Sequence, residues 1–232
     1  MRCLLATLFL FAFIELTAQQ KIADFKVEPT LHWKFRINAP IIASPVVSDN
    51  LVYFGGLDSV LYALDHTSGK QIWKFRTRGQ IRSTILVNGA VLYLNGGDGS
   101  LYSLDKKTGK VKWTFTGKGE RKYDFADYHQ SSPVLYNNTL YFGSGNDVYA
   151  VHAEKGTQAW SYRTGDVVHG TPALDNNKLF VGSFDGNVYA LNAADGSLIW
   201  KFKTVGHRFF PKGEVQGSPS IFKGQVFIGA RD

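Results

Sequence analysis

Apolar and polar residues alternate in five short stretches of this chain, each built round a tryptophan. In Leu31 to Ile37, LHWKFRI, Trp33 and Phe35 share one face while Lys34 and Arg36 share the other. That period of two marks a strand with one side packed and one side in water. The alternation returns at Trp73/Phe75, Trp113/Phe115, Trp160/Tyr162 and Trp200/Phe202, with Lys74, Thr114, Ser161 and Lys201 between. Other stretches are apolar at consecutive positions: Leu51 to Gly56, Val91 to Asn95, Leu140 to Gly143, Leu179 to Gly182 and Val226 to Gly229. The LYAL-type strands that follow the first four of these share the property. A strand apolar on both faces has to be covered on both.

The five tryptophans step by 40, 40, 47 and 40 residues, and Tyr62, Tyr102, Tyr149 and Tyr189 each stand eleven positions before one of the last four. A fixed period near forty with several short strands per unit predicts an all-β, radially repeated architecture. The expectation is a β-propeller of four-stranded antiparallel blades, with four complete repeats and partial repeats at both ends. Stacking each blade between two neighbours covers both faces of its inner strands. The tryptophan strand is then outermost.

Turn residues fall where such a blade needs them. Leu57-Asp58-Ser59, Gly97-Asp98-Gly99 and Phe184-Asp185-Gly186 join second to third strands, and the third unit has the shorter Asn146-Asp147. Asp accepts local backbone N–H groups, and Gly supplies positive φ without steric cost. Asp65 with Gly69, Asp105 with Gly109, His152 with Gly156 and Asn192 with Gly196 predict Asx-type turns closed by a left-handed glycine. Each unit opens on small residues, usually with proline: Ala43-Ser44-Pro45, Ser83-Thr84-Ile85, Ser131-Ser132-Pro133, Gly170-Thr171-Pro172 and Gly217-Ser218-Pro219. Small side chains suit the crowded centre, and proline there requires an unpaired or bulged position.

These residues resemble the pyrroloquinoline-quinone-type, quinoprotein-like β-propeller repeat. Its tryptophan-docking motif runs roughly Ala-x-Asp-x-x-x-Gly-Lys-x-x-Trp. Ala63, Asp65, Gly69, Lys70 and Trp73 match it, while the fourth unit keeps Ala190, Gly196 and Trp200 but has Asn192 and Ser197. The resemblance covers residues 31–232 and implies a structural docking role for Trp33, Trp73, Trp113, Trp160 and Trp200. It also implies a ring of seven or eight blades. No tryptophan here is followed by aspartate, unlike WD40 repeats. Within the family stand quinoprotein alcohol dehydrogenases and the BamB-type outer-membrane assembly factor. The vicinal cysteine pair and the Cys-x-x-Cys-His haem signature of the dehydrogenases are absent from the sequence, as is the lipid-attachment signal of the BamB-type protein.

Composition narrows the setting. Apolar residues make up 44% and charged residues 19% of the 232 positions, which opposes disorder. Residues 1–18 read as a signal peptide: Arg2, an apolar run from Leu4 to Ile14, then Leu16-Thr17-Ala18. The run is shorter than the roughly 20 residues of a membrane span. Residues 19–30 then form a connector to the propeller of residues 31–232. The expected mature protein is exported, periplasmic or extracellular, and free of cysteine, because Cys3 lies in the leader. The net charge of +7 can mark an anionic partner, but much of it sits on the solvent side of the tryptophan strands. At Val226 to Asp232 the last unit stops in its turn, which leads us to expect a longer protein truncated at that point.

Candidate binding residues come from what varies between repeats. Immediately before each small pair stand Ile42, Arg82, Gln130, His169 and Gln216, expected at the mouth of the central channel. They either meet a ligand or simply solvate a wet channel. Two long connections, residues 117–130 and 205–215, emerge on that same face. They carry Tyr123, Tyr128 and His129, and His207, Arg208, Phe209 and Phe210. Aromatics beside basic residues suit a protein partner, a small molecule or a glycan. His129, His169 and His207 lack metal-ligand spacing, and Asn137-Asn138-Thr139 is a glycosylation acceptor pattern. No catalytic triad, phosphate loop or nucleic-acid motif is present. The expected function is an exported, non-catalytic binding or scaffold propeller without cofactor. The alternatives are part of a quinone-dependent alcohol dehydrogenase, using pyrroloquinoline quinone with calcium, or a BamB-like outer-membrane assembly factor.

Overall fold

The repeats fold into antiparallel sheets, and every strand of the computed structural model follows from the pattern above. It describes residues 30–119, 130–206 and 213–231, and the contacts below lie within the unit Trp33–Asp232. The first blade runs β1 (Val46–Ser48), β2 (Leu51–Gly55), β3 (Val60–Asp65) and β4 (Gln71–Arg76). The second contains β5 (Leu86–Asn88), β6 (Val91–Asn95), β7 (Ser100–Asp105) and β8 (Val111–Thr116). The third contains β9 (Val134–Tyr136), β10 (Thr139–Ser144), β11 (Asp147–His152) and β12 (Gln158–Arg163). The fourth contains β13 (Ala173–Asp175), β14 (Lys178–Gly182), β15 (Asn187–Asn192) and β16 (Leu198–Lys203), and β17 (Ser220–Phe222) pairs with β18 (Gln225–Phe227) in a two-stranded sheet. Each complete blade has its strands hydrogen-bonded in sequence order, and no described residue is helical.

Second and third strands are buried along most of their length, by neighbouring blades and, on the first blade's other face, by residues 33–37. Three apolar clusters record that stacking. Tyr53 and Trp73 of the first blade pack with Leu92 and Leu104 of the second. Tyr93 and Trp113 of the second meet Leu140 and Val151 of the third, and Tyr141 and Trp160 of the third meet Leu179 and Leu191 of the fourth.

Every fourth strand carries a bulge at the same repeat position. Ala63 pairs with Trp73 but Leu64 with Gln71, leaving Ile72 extra, and the shift recurs after Ser103, Ala150 and Ala190. The residue opposite each tryptophan is Ala or Ser, which leaves room for the indole. An extra residue bends a strand and re-aims its side chains. Ile72 and Ile199 are accordingly turned to solvent.

Two expectations change. Residues 31–37 alternate in exposure, with Trp33, Phe35 and Ile37 packed on Phe54, Val60, Tyr62 and Leu64, yet they form no strand. A strand is defined by a hydrogen-bonded neighbour, and the described residues pair none with this segment. The proline-marked segments also stand just outside the opening strands. Pro45, Pro133, Pro172 and Pro219 each immediately precede a three-residue strand, where their missing N–H costs no ladder bond.

Candidate functional site

The turns that hold the blades show how local chemistry fixes the frame. Asp65 Oδ1 accepts the backbone N–H groups of Thr67 and Ser68 and the Ser68 hydroxyl, and Asp105 does the same with Lys107 and Thr108. The Ser68 and Thr108 bonds hold both carboxyls below the usual range. Gly69, Gly109, Gly156 and Gly196 follow with φ of 69°, 69°, 68° and 75°. Each lies against the ring of the preceding tryptophan, so closely that an added Cβ would sit 2.5–2.6 Å from it. The indole N–H groups of Trp33, Trp73, Trp113 and Trp160 donate to the carbonyls of His66, Lys106, Ala153 and Ala193. In three of these joints a tyrosine hydroxyl, Tyr53, Tyr93 or Tyr141, donates to the same carbonyl.

A second set of carboxylates sits in the turns between second and third strands. Asp58, Asp98 and Asp185 accept the N–H two residues on and the hydroxyls of Tyr62, Tyr102 and Tyr189. Burial first, then the Asp58 hydrogen bond, pushes the Tyr62 phenol up to about 12. The third blade departs from this plan. Its buried Asp147 carboxylate instead meets Lys118 at 2.9 Å and Arg163 at 3.6 Å. Lys118, at the root of the long connection, also donates its backbone N–H to the Tyr149 hydroxyl.

At the inner ends of the blades a cavity of about 310 Å³ opens. Ile42, Arg82, Gln130, His169 and Gln216, one from each repeat, all line it. Gln130 and His169 are only 5% and 3% exposed and stand in its wall. The His169 ring stands edge-on to Phe184 at 5.1 Å. Gln130 Oε1 accepts the Arg82 backbone N–H at 3.3 Å, and Gln216 donates to Glu214 at 3.2 Å. Tyr123, Tyr128, His129, His207, Arg208 and Phe209 lie outside the described residues. Trp33, Trp73, Trp113, Trp160 and Trp200 stand on the outer strands or their equivalent, away from the cavity lining.

Several cavity residues carried a signal that steric reasoning passed over. The second member of every small pair bears a hydroxyl: Ser44, Thr84, Ser132, Thr171 and Ser218, and all five line the cavity. Asn95 also went unremarked. It stands where three other repeats have glycine (Gly55, Gly143, Gly182), is fully buried, and donates to the carbonyls of Ser131 and Gly143 at 2.9 and 3.1 Å. It thereby ties the second blade to the third beside the cavity.

Among the described residues no carboxylate lines the cavity, and no group of three or more His, Cys, Asp or Glu is placed to hold a metal ion. Calcium takes six to eight oxygen ligands, carboxylates prominent among them. The described residues do not supply that set. No described helix is long and apolar enough to cross a membrane.

Comparison with known proteins places this frame. The chain is 34% identical over 116 residues to the quinohemoprotein alcohol dehydrogenase of Comamonas testosteroni, covering 44% of this chain and 16% of that protein. To the lanthanide-dependent methanol dehydrogenase of Methylacidiphilum fumariolicum it is 32% identical over 117 residues, covering 44% and 19%. The chain thus spans less than a fifth of the length of these relatives. Among solved structures, BamB from Moraxella catarrhalis superposes with a TM-score of 0.70 at 16% identity, over 85% of this chain and 60% of that one. Two overlapping matches, over residues 20–166 and 144–232, fit the family model described as outer membrane protein assembly factor BamB, and the chain belongs to that family of PQQ-like propellers.

Proposed function

We propose that this chain is an exported, non-catalytic binding propeller that engages a protein partner through the face onto which its central cavity opens. The observation that carries the reading is the convergence of all five channel-mouth positions on one cavity, with the ends of both long connections beside it. Gln130 closes the connection begun at Gly117, and Gln216 follows the one begun at Val205. Binding surfaces on repeat folds gather where insertions emerge. The family's description as an assembly factor supports a protein as the partner. Residues 1–18 supply the export signal in this reading.

Site-specific photo-crosslinking tests it. Probes at Lys118 and Val205 are expected to capture one common protein species, while a probe at Thr67, in an outer turn, is not. Capture from Thr67 alone would place the working face elsewhere.

A second reading, part of a quinoprotein alcohol dehydrogenase, is favoured by the 34% identity quoted above. Against it stands a cavity wall whose described residues include no carboxylate. Adding pyrroloquinoline quinone and calcium to purified protein discriminates the two. Saturable quinone absorbance with alcohol-dependent dye reduction would replace the binding role by an enzymatic one.

A further inference from the structure

The residue whose carbonyl receives the docking tryptophan differs from joint to joint. It is Lys106 between the first and second blades, Ala153 between the second and third, and Ala193 between the third and fourth. The lysine does not reach into water. Its side chain is 9% exposed and runs back to the first blade, where Nζ donates to Ser48 Oγ at 3.2 Å and meets the Asp49 carboxylate at 2.7 Å. A four-carbon stem is thus buried along the joint, with its charge paired at an exposed turn.

At the third joint the same frame surrounds an alanine. Tyr141 and Trp160 tilt at 48° with ring centroids 5.8 Å apart, as Tyr53 and Trp73 do at 43° and 5.8 Å. Both pairs give their polar hydrogens to one carbonyl, that of Ala193 or of Lys106. A cavity of about 220 Å³ lies at this joint, and its wall includes Ala193, Tyr141 and Trp160. The wall also includes Tyr136 and Asn137, which hold the repeat positions of Ser48 and Asp49. Asn137 and Asp49 share a left-handed backbone, with φ of 46° and 52°. The cavity therefore stands where the Lys106 stem lies at the first joint. A shortened side chain leaves such a space when its surroundings keep their positions.

The wall retains the chemistry that a lysine-like group needs. An ammonium has three donors and no acceptor. Asn137 offers it an amide oxygen where Asp49 offers a carboxylate, and the Asn177 amide, whose Nδ2 donates to Asn192 at 3.2 Å, presents its oxygen in the same wall. Aromatic rings attract a cation over their faces, and Tyr136, Tyr141 and Trp160 bring three.

We propose that the joint between the third and fourth blades binds a primary alkylammonium group, a free aliphatic amine or a lysine side chain. Its stem takes the place that Lys106 fills at the first joint, and its ammonium meets Asn137. This goes beyond the protein-partner reading, because the site shares no lining residue with the cavity where the blades converge.

The test is calorimetric binding to the full chain at pH 8, where imidazoles such as that of His152 in the same wall do not compete as cations. The probes are n-butylammonium, Nα-acetyl-lysinamide, 1-butanol and ammonium chloride. At least one of the first two is expected to bind saturably and at least tenfold more tightly than butanol, which lacks the charge, or ammonium, which lacks the stem. Whichever of the two binds tighter distinguishes a free amine from a lysine side chain. Asn137→Asp restores the carboxylate of the first joint and is expected to tighten binding at least tenfold. Ala193→Lys supplies the stem from within, and is expected to raise the unfolding temperature and abolish binding. Absence of binding by both amines, equal binding of butanol, or unchanged affinity in folded Ala193→Lys would each overturn the proposal. If Ala193→Lys fails to fold, Asn137→Asp at its exposed turn still decides it, since unchanged affinity there overturns it as well.

Discussion

Trp160 and Trp200 occupy the same position in consecutive repeats, and they live in different surroundings. Trp160 is 8% exposed, its ring covered by Gly196, its N–H bonded to the Ala193 carbonyl at 3.0 Å, with the Tyr141 hydroxyl on the same oxygen at 2.9 Å. Trp200 is 39% exposed and tilts against Phe180, which replaces the tyrosine of the other three blades. No described turn lies over it. A groove of about 660 Å³ runs between its strand and β17–β18, bordered by Phe202, Val226 and Phe227. The motif therefore fixes a strand and an indole direction, while burial is conferred by the next repeat.

Substitution at the two tryptophans should separate those contributions most widely. Trp160→Ala is expected to cost about 3–5 kcal/mol, as for a large aromatic removed from a core. Trp200→Ala should cost less than about 2 kcal/mol, because its contacts are already incomplete. Urea unfolding of both variants checks this, and equal losses would mean that the fourth face is covered in solution.

The covering glycine gives the next effect. Gly196→Val forces a β-branched residue to a φ of 75° with its Cβ 2.5 Å from the Trp160 ring. Left-handed strain of about 1–2 kcal/mol and overpacking of about 1–3 kcal/mol should add. Gly224→Ala, at a similar φ of 74° but with nothing near the new Cβ, should show the strain alone. A difference near zero between the two in the same unfolding assay would remove the close approach from the account.

A finer contrast lies in the hydroxyls. Tyr141→Phe should lose about 0.5–1.5 kcal/mol, since Ala193 keeps its bond from Trp160. Phe180→Tyr adds a hydroxyl for which no described residue supplies the equivalent of the Ala193 carbonyl, and should change stability little. A gain from Phe180→Tyr comparable to the loss from Tyr141→Phe would reveal an acceptor over the exposed face.

The smallest effect is in acid. Burial pushes the Asp185 carboxyl up, but hydrogen bonds from Tyr189, Asn187 and Gly165 outweigh it and the group ends below its ordinary value. A depressed folded-state pKa stabilises the fold above the unfolded value near 4 and loses that contribution as pH falls through the folded one. Asp185→Asn should therefore show a shallower loss of stability between pH 5 and pH 2, followed by denaturant midpoints across about that range. An unchanged slope would show that the turn carboxylate is uncoupled from folding.

Much of this was legible along the chain. The period of the tryptophans, the two-sided apolar strands and the Asp-to-Gly turns predicted the blades, and the repeat alignment picked out Ile42, Arg82, Gln130, His169 and Gln216. What escaped was relational. The bulge before each tryptophan, which turns Ile72 and Ile199 to solvent, arises from pairing between strands. The hydroxyls of Ser132, Thr171 and Ser218 looked merely small, because their acceptor role depends on an N–H some forty residues away, that of Thr84, Ser132 and Thr171 in turn. Asn95 looked like one more strand residue until Ser131 and Gly143 supplied its partners.

By itself the sequence determined which residues form strands, where each turn reverses, and which tryptophan face points inward. Local alternation and turn chemistry suffice for those, since they involve neighbours within a few residues. Tertiary structure alone decided that residues 31–37 pack without pairing, and that a hydroxyl-lined cavity forms where the blades converge. Those outcomes depend on which blade stands beside which, a property that one strand's sequence does not contain.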